Sequence, residues 1–145
     1  MSILSLGLAI TMTSTIIEQI VLISAILVIM IAEKDRETII LFNTGIIGLM
    51  VVGGATELIK LYIGIEIVSL SFYILAGRER KGMKSSEAGI KYFVLGALSS
   101  GILLMGITIV YAQTGGTDIE LIETVSRTLI IIGILFKLGA APFHV

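Results

Sequence analysis

Three ionisable side chains of this 145-residue sequence stand inside apolar runs: Glu66, Lys91 and Lys137. A charge at the centre of a bilayer costs about 2.5–3.5 kcal/mol, so each needs a partner, water or a function. Glu66 has Tyr62 and Leu70 one helical turn away on either side. Nothing basic on its own helix can neutralise it, and its partner must come from another segment. Lys137 lies five residues before Pro142, the single proline of the sequence. A proline within an apolar segment removes a backbone hydrogen bond and breaks the helix. Water and loosened backbone can reach a lysine beside such a break. Burial favours the neutral amine, whereas a nearby carboxylate favours the ammonium. A lysine held between those influences can load and release a proton, with Glu66 carrying protons or tuning it. The structural alternative is an ion pair that only locks two helices. At about 7 Å and an effective dielectric near 20, such a pair would gain about 2.4 kcal/mol, comparable with the insertion cost of one ion.

Other polar residues read differently. Glu87 stands four residues before Lys91, in the favourable orientation for a helical salt bridge, and the amine could also snorkel to the interface. The residues alone therefore favour pairing over transport for Lys91. Glu18 reads the same way. His144, two residues beyond Pro142, reads as a local hydrogen-bonding group rather than a relay. Tyr62, Tyr73, Tyr92 and Tyr111 fall near helix ends and read as interfacial anchors. The sequence has no cysteine and one histidine, which excludes disulfides, iron–sulfur ligation and thiolate metal sites in this chain and argues against a histidine metal site. No phosphate-cradling glycine loop or dinucleotide fingerprint is present, so this chain should neither oxidise NADH nor bind a flavin itself. A net charge of −1 gives no electrostatic claim on nucleic acid.

The elements that must position these residues follow from composition. Hydrophobic residues make up 56% of the sequence and charged residues 14%, with a mean hydropathy of +1.08. A soluble domain would carry about 25% charged residues. Long runs without alternation, such as Ile20 to Ile31, argue against a β-barrel. The expectation is a single all-α transmembrane domain over residues 1–145, with about five membrane-spanning helices near 3–32, 38–55, 57–77, 86–111 and 126–145, the last broken near Pro142. Charged loops at 33–37 and 78–84 separate them, as does a loop from Gln113 to about Thr124. In that third loop Thr117-Asp118-Ile119-Glu120 has the form of a capping box, which starts a helix. Ala97 and Gly101, with Gly96, Ser99 and Ser100 beside them, form a ridge of small residues that suits close helix packing. Lys34, Arg36, Arg78, Arg80, Lys81 and Lys84 share one side by alternation, whereas only Lys60 and Arg127 lie near the other. The positive-inside rule then puts the first side in the cytoplasm or matrix and the N-terminus outside. The first basic residue is Lys34, so the start has neither the basic segment of a secretory signal nor the arginines of a transit peptide. The expectation is a mature membrane protein made in a bacterium or inside an organelle.

Gly64-Ile65-Glu66-Ile67-Val68-Ser69-Leu70 with Tyr73-Ile74-Leu75-Ala76 resembles the fifth helix of the antiporter-like subunits of respiratory complex I. Ser86-Glu87-Ala88-Gly89-Ile90-Lys91-Tyr92-Phe93 and the continuation to Gly115 resemble the sixth helix. Phe136-Lys137-Leu138-Gly139-Ala140-Ala141-Pro142-Phe143-His144 resembles the broken seventh helix. The resemblance covers about residues 57–145 and is closer to the branch called subunit 2 (subunit N in bacteria) than to subunits 4 and 5. Residues 1–56 match only as hydrophobic helices in the right order, like the third and fourth.

The resemblance implies roles residue by residue. Glu66 falls on the glutamate that pairs with the seventh-helix lysine. Lys137 falls on that lysine, a central proton carrier, and Lys91 on the sixth-helix lysine implicated in the input path. His144 falls on a histidine just beyond the break, with a linking role. This implication moves Lys91 towards function. NADH, FMN, iron–sulfur clusters and quinone would belong to partner subunits, with no cofactor in this chain. Partners would be the lipid bilayer and the other membrane-arm subunits. Family members carry two inverted five-helix repeats, and this sequence matches only part of the first. Two explanations fit, a gene split into two polypeptides or a truncated sequence; the expectation is the split, with a second polypeptide supplying the remaining helices, in the mitochondrial inner membrane or alternatively a bacterial plasma membrane. Two other readings stay open: a subunit of a multi-subunit cation/proton antiporter, and a packing subunit without transport.

Overall fold

The computed structural model describes residues 3–31, 35–78, 83–119 and 124–139. Among the described residues five helices follow one another: α1 (Ile3–Ile31), α2 (Arg36–Gly53), α3 (Leu58–Ala76), α4 (Met83–Thr114) and α5 (Thr124–Lys137). The all-α expectation holds, and no strand element lies among the described residues. Helices satisfy their own backbone hydrogen bonds, which lipid cannot do for them. Hydroxyls on these helices return a bond to the preceding turn: Ser24 donates to the Ile20 carbonyl at 2.7 Å, Thr44 to Ile40 at 2.9 Å and Thr108 to Leu104 at 2.8 Å. Polar side chains are thereby satisfied inside otherwise apolar spans.

Four helices contain apolar stretches long enough to cross a membrane: Met12–Met30, Arg36–Gly53, Leu58–Ala76 and Ser86–Thr114. The fifth differs from the sequence expectation. It has 14 residues, about 21 Å, against a hydrocarbon core of about 30 Å. It stops at Lys137 instead of running on towards Pro142, because Gly139 takes the left-handed conformation at φ +62°. The Leu138 N–H bonds the Ile134 carbonyl at 2.9 Å, and the Gly139 N–H bonds that of Phe136 at 3.1 Å. A left-handed glycine just past the last turn is a common helix stop. Pro142 lies outside the described residues.

The α2–α3 hairpin turns at Gly54, whose N–H bonds the Met50 carbonyl at 3.1 Å. Its two helices touch backbone to backbone, since a Cβ on Gly48 or on Gly64 would lie 3.0 Å from the other's carbonyl oxygen. At the far end of the hairpin Arg78 pairs with Asp35 and donates to the Thr38 hydroxyl, tying the end of α3 to the start of α2. Of the residues expected to form a capping box, Glu120 lies outside the described residues, and Thr117 and Asp118 meet the start of α3. Asp118 bridges Glu57, and the Leu58 N–H, one of the unpaired donors at the start of α3, bonds the Thr117 carbonyl at 2.7 Å. Helix α5 begins seven residues after Thr117, at Thr124.

The core joins α3, α4 and α5. Leu58, Leu103, Ile107, Val110 and Ile130 form it, with Tyr62, Ile65 and Ile134 packed against it. On α5, Ser126, Ile130 and Gly133 are buried. Their spacing of four and three residues is that of one helical face, and continuing it by four reaches Lys137. A Cβ on Gly133 would stand 2.8 Å from the Leu103 Cβ, so glycine allows α5 to lie directly on α4. The small-residue ridge of α4 is divided. Gly96, Ser99 and Ser100 turn inward, whereas Ala97 and Gly101 are exposed.

Candidate functional site

One turn beyond the apolar core, the same three helices bring polar groups together. The Lys137 Nζ donates to Glu66 Oε1 at 2.7 Å and to Ser69 Oγ at 3.1 Å. The Ser100 hydroxyl donates to the same Glu66 oxygen, and Ser69 in turn donates to the Ile65 carbonyl at 2.8 Å. The Lys137 side chain is 9% exposed and that of Glu66 24%. The two charges are therefore in contact, closer than the sequence estimate assumed. At 2.7 Å and an effective dielectric near 20 their attraction is about 6 kcal/mol. Inserting both ions costs about 5–7 kcal/mol, so the pair offsets its own insertion.

The local sequence explains each position. Glu66 is the ninth residue of α3, about 12 Å from its start, so its carboxylate is near mid-helix. Ser69 stands one turn further on the same face. Lys137 is the last residue of α5. The unpaired carbonyls and negative dipole end of a helix favour a cation there, a second source of stabilisation beside Glu66.

Beyond the pair lies a cavity of about 270 Å³ lined by Ser69, Tyr73, Tyr92, Gly96, Phe136 and Lys137, among others. Tyr73 is buried, at 7% exposure, which corrects its reading as an interfacial anchor. Its ring meets Tyr92 edge to face at 4.6 Å and Phe93 at 5.9 Å. Tyr92 and Tyr111 are exposed, as anchors would be.

The structure thus unites Glu66 and Lys137 and leaves Lys91 apart. Lys91 is exposed on α4 and bonds Glu87 at 2.6 Å, the helical pair that its spacing predicted. His144 lies outside the described residues. Three site residues escaped the sequence reading in these roles: Ser69, Ser100 and Tyr73. The three-residue step from Glu66 to Ser69 was a signal for the first. Nothing in one sequence marks Ser100 as the serine that faces Glu66. No group of three or more His, Cys, Asp or Glu residues suited to a metal ion occurs among the described residues.

Comparison with known proteins gives this geometry a context. Residues 55–145 match the transmembrane family described as NADH:quinone oxidoreductase/Mrp antiporter. The chain is similar to NADH-quinone oxidoreductase subunit N of Trichlorobacter lovleyi, 43% identical over 73% of this chain and 24% of that protein. It is also similar to subunit N of Gemmatimonas aurantiaca, 34% identical over 88% of this chain and 29% of that protein. Among solved structures, a chain of respiratory complex I from Thermus thermophilus with bound aureothin superposes with a TM-score of 0.77. It is 27% identical and covers 91% of this chain and 32% of its own length. The chain spans about a quarter of the length of the curated relatives it matches. With the family model covering residues 55–145, the chain belongs to the transmembrane family of NADH:quinone oxidoreductases and Mrp antiporters.

Proposed function

We propose that this chain is part of a proton-translocating membrane-arm subunit of an NADH:quinone oxidoreductase. The observation that carries the reading is the contact between Lys137 and Glu66 at 2.7 Å, with two hydroxyls around it and a cavity alongside. Glu66 and Ser69 hold the Lys137 ammonium. When the field at Glu66 is cancelled, by a proton on the carboxylate or by a cation brought near it, Lys137 loses that hold and gives its proton to water in the cavity. When the field returns, the neutral amine takes a proton back. Quinone reduction elsewhere in the complex would drive the change in field. NADH, FMN, iron–sulfur clusters and quinone are handled by partner subunits.

Lys91 and His144 enter this reading through the resemblance alone, as a group on the input path and a link beyond the break. The Glu87–Lys91 pair stands next in sequence to Tyr92 and Phe93, whose rings pack on Tyr73. Pairing of the whole chain with lipid and membrane-arm subunits follows from the same reading. The subunit N relatives come from bacteria, which favours a bacterial plasma membrane over the mitochondrial inner membrane expected from the sequence. Membrane fractionation distinguishes the two.

Lys137→Ala should sharply lower the proton-to-electron ratio of the intact complex, and with it the NADH oxidation coupled to pumping. An unchanged ratio would reject the mechanism. The family description supports one further reading, a cation/proton antiporter subunit. Co-purification with flavin and iron–sulfur subunits supports the oxidoreductase, whereas co-purification with small antiporter subunits supports the antiporter.

A further inference from the structure

Tyr73 lines two cavities at once. One is the 270 Å³ space at Lys137. The other, about 470 Å³, opens at the charged end of α2, α3 and α4, where Glu37, Arg78 and Ser86 line it together with Gly77, Gly89 and Phe93. Charged groups on its wall make this outer cleft a place where water is stable. Tyr73 is seven residues, two helical turns, beyond Glu66 on the same face of α3. Its Cα therefore stands about 10 Å along the helix from that of Glu66. The side chain is wedged from two sides: Tyr92 borders the inner cavity and Phe93 the outer one, and both meet the ring edge to face. The wall behind the hydroxyl is Gly96, where an added Cβ would overlap the tyrosine oxygen. Tyr73 alone of the three rings is buried, and a buried ring between two cavities interrupts a chain of water molecules, as apolar constrictions do in channels.

We infer that Tyr73 is the gate between a hydrated vestibule at the Arg78 end and the proton-binding Lys137. The inference rests on the proposed role of Lys137 and adds to it the direction from which that lysine is reached. With the ring seated against Tyr92, Phe93 and Gly96, the two cavities are separate and protons do not leak. Displacement of the ring joins them and lets water reach Lys137 from the vestibule. Tyr73 acts here as a positioning residue for water and itself exchanges no proton.

The test uses the intact complex in sealed vesicles of either orientation. The sequence has no cysteine, so Leu95→Cys, on the wall of the inner cavity, is a single reporter in this chain. Its modification by a small cationic methanethiosulfonate, applied from the Arg78 side, is read by mass spectrometry. In the Tyr73→Ala and Tyr73→Leu backgrounds the rate should rise about tenfold, equivalent to ~1.4 kcal/mol off the barrier, and passive proton leak should rise with it. Tyr73→Phe keeps the ring and should leave the labelling rate low. Equal labelling with tyrosine, leucine and phenylalanine at position 73 would overturn the gate. Labelling does not depend on pumping, so its outcome is separate from that of Lys137→Ala.

Discussion

Glu66 and Lys137 are 71 residues apart in sequence and in hydrogen-bonding contact in space. Their pairing makes single and double substitutions behave differently. Lys137→Met leaves the Glu66 carboxylate buried without its cation, which costs about 3–5 kcal/mol. The yield of assembled complex should fall accordingly. Glu66→Gln combined with Lys137→Met removes both charges and should restore much of that yield without restoring proton transfer. Measuring complex yield and proton-to-electron ratio side by side separates the roles. Normal pumping by the double variant would show that the charges serve packing alone. The two serines refine the site without changing its sign: Ser100 donates to the carboxylate, whereas Ser69 accepts from the ammonium.

At the scale of the element, α5 decides whether the pair can form. The helix is short, ends in a left-handed glycine and lies on α4 through Gly133. Adding volume at Gly133 pushes α5 away from Leu103, and with it Lys137, one turn further along the same face. Gly133→Val should therefore cost about 1–3 kcal/mol through overpacking and lower the proton-to-electron ratio although no ionisable group has changed. A variant with full stability and full pumping would mean that α5 is not seated by this contact. The same substitution at Gly101, where an added Cβ meets nothing within 4 Å, is the matched control on α4. The ridge of small residues was visible in the sequence. Which of its members pack was not, because Gly96, Ser100 and Gly101 differ only by a rotation of α4 that its partners set.

The whole molecule is a bundle organised around α3, with α2 on one side and α4 and α5 on another. The bridge between Glu57 and Asp118 puts the α2–α3 turn and the α4–α5 loop at the same end. The pair of Arg78 with Asp35 marks the opposite end. Alternation of crossings requires this arrangement, and the distribution of Lys and Arg predicts that the Arg78 end faces inward. Cysteines introduced at Thr56 and Asp118 should then react with an impermeant thiol reagent from outside only, and one at Glu37 from inside only. The reverse pattern would invert the proposed direction of proton uptake. Much of the remaining surface is apolar, with Ile23, Met30, Phe93 and Met105 among the exposed side chains, as suits helices that face lipid or further protein.

By itself the sequence determined that the chain is helical and membrane-embedded, and that Glu66 and Lys137 are costly where they stand. Hydropathy and helical periodicity act locally, and the insertion cost of a charge depends on the run around it, so one sequence is enough to read them. The tertiary structure alone decided that the two charges touch, that Ser69 and Ser100 complete the cluster, and that Tyr73 is buried between two cavities. Those facts depend on how helices rotate and slide against one another. Side-chain volume at Gly48, Gly64 and Gly133 sets that arrangement, and it cannot be assigned to any one segment.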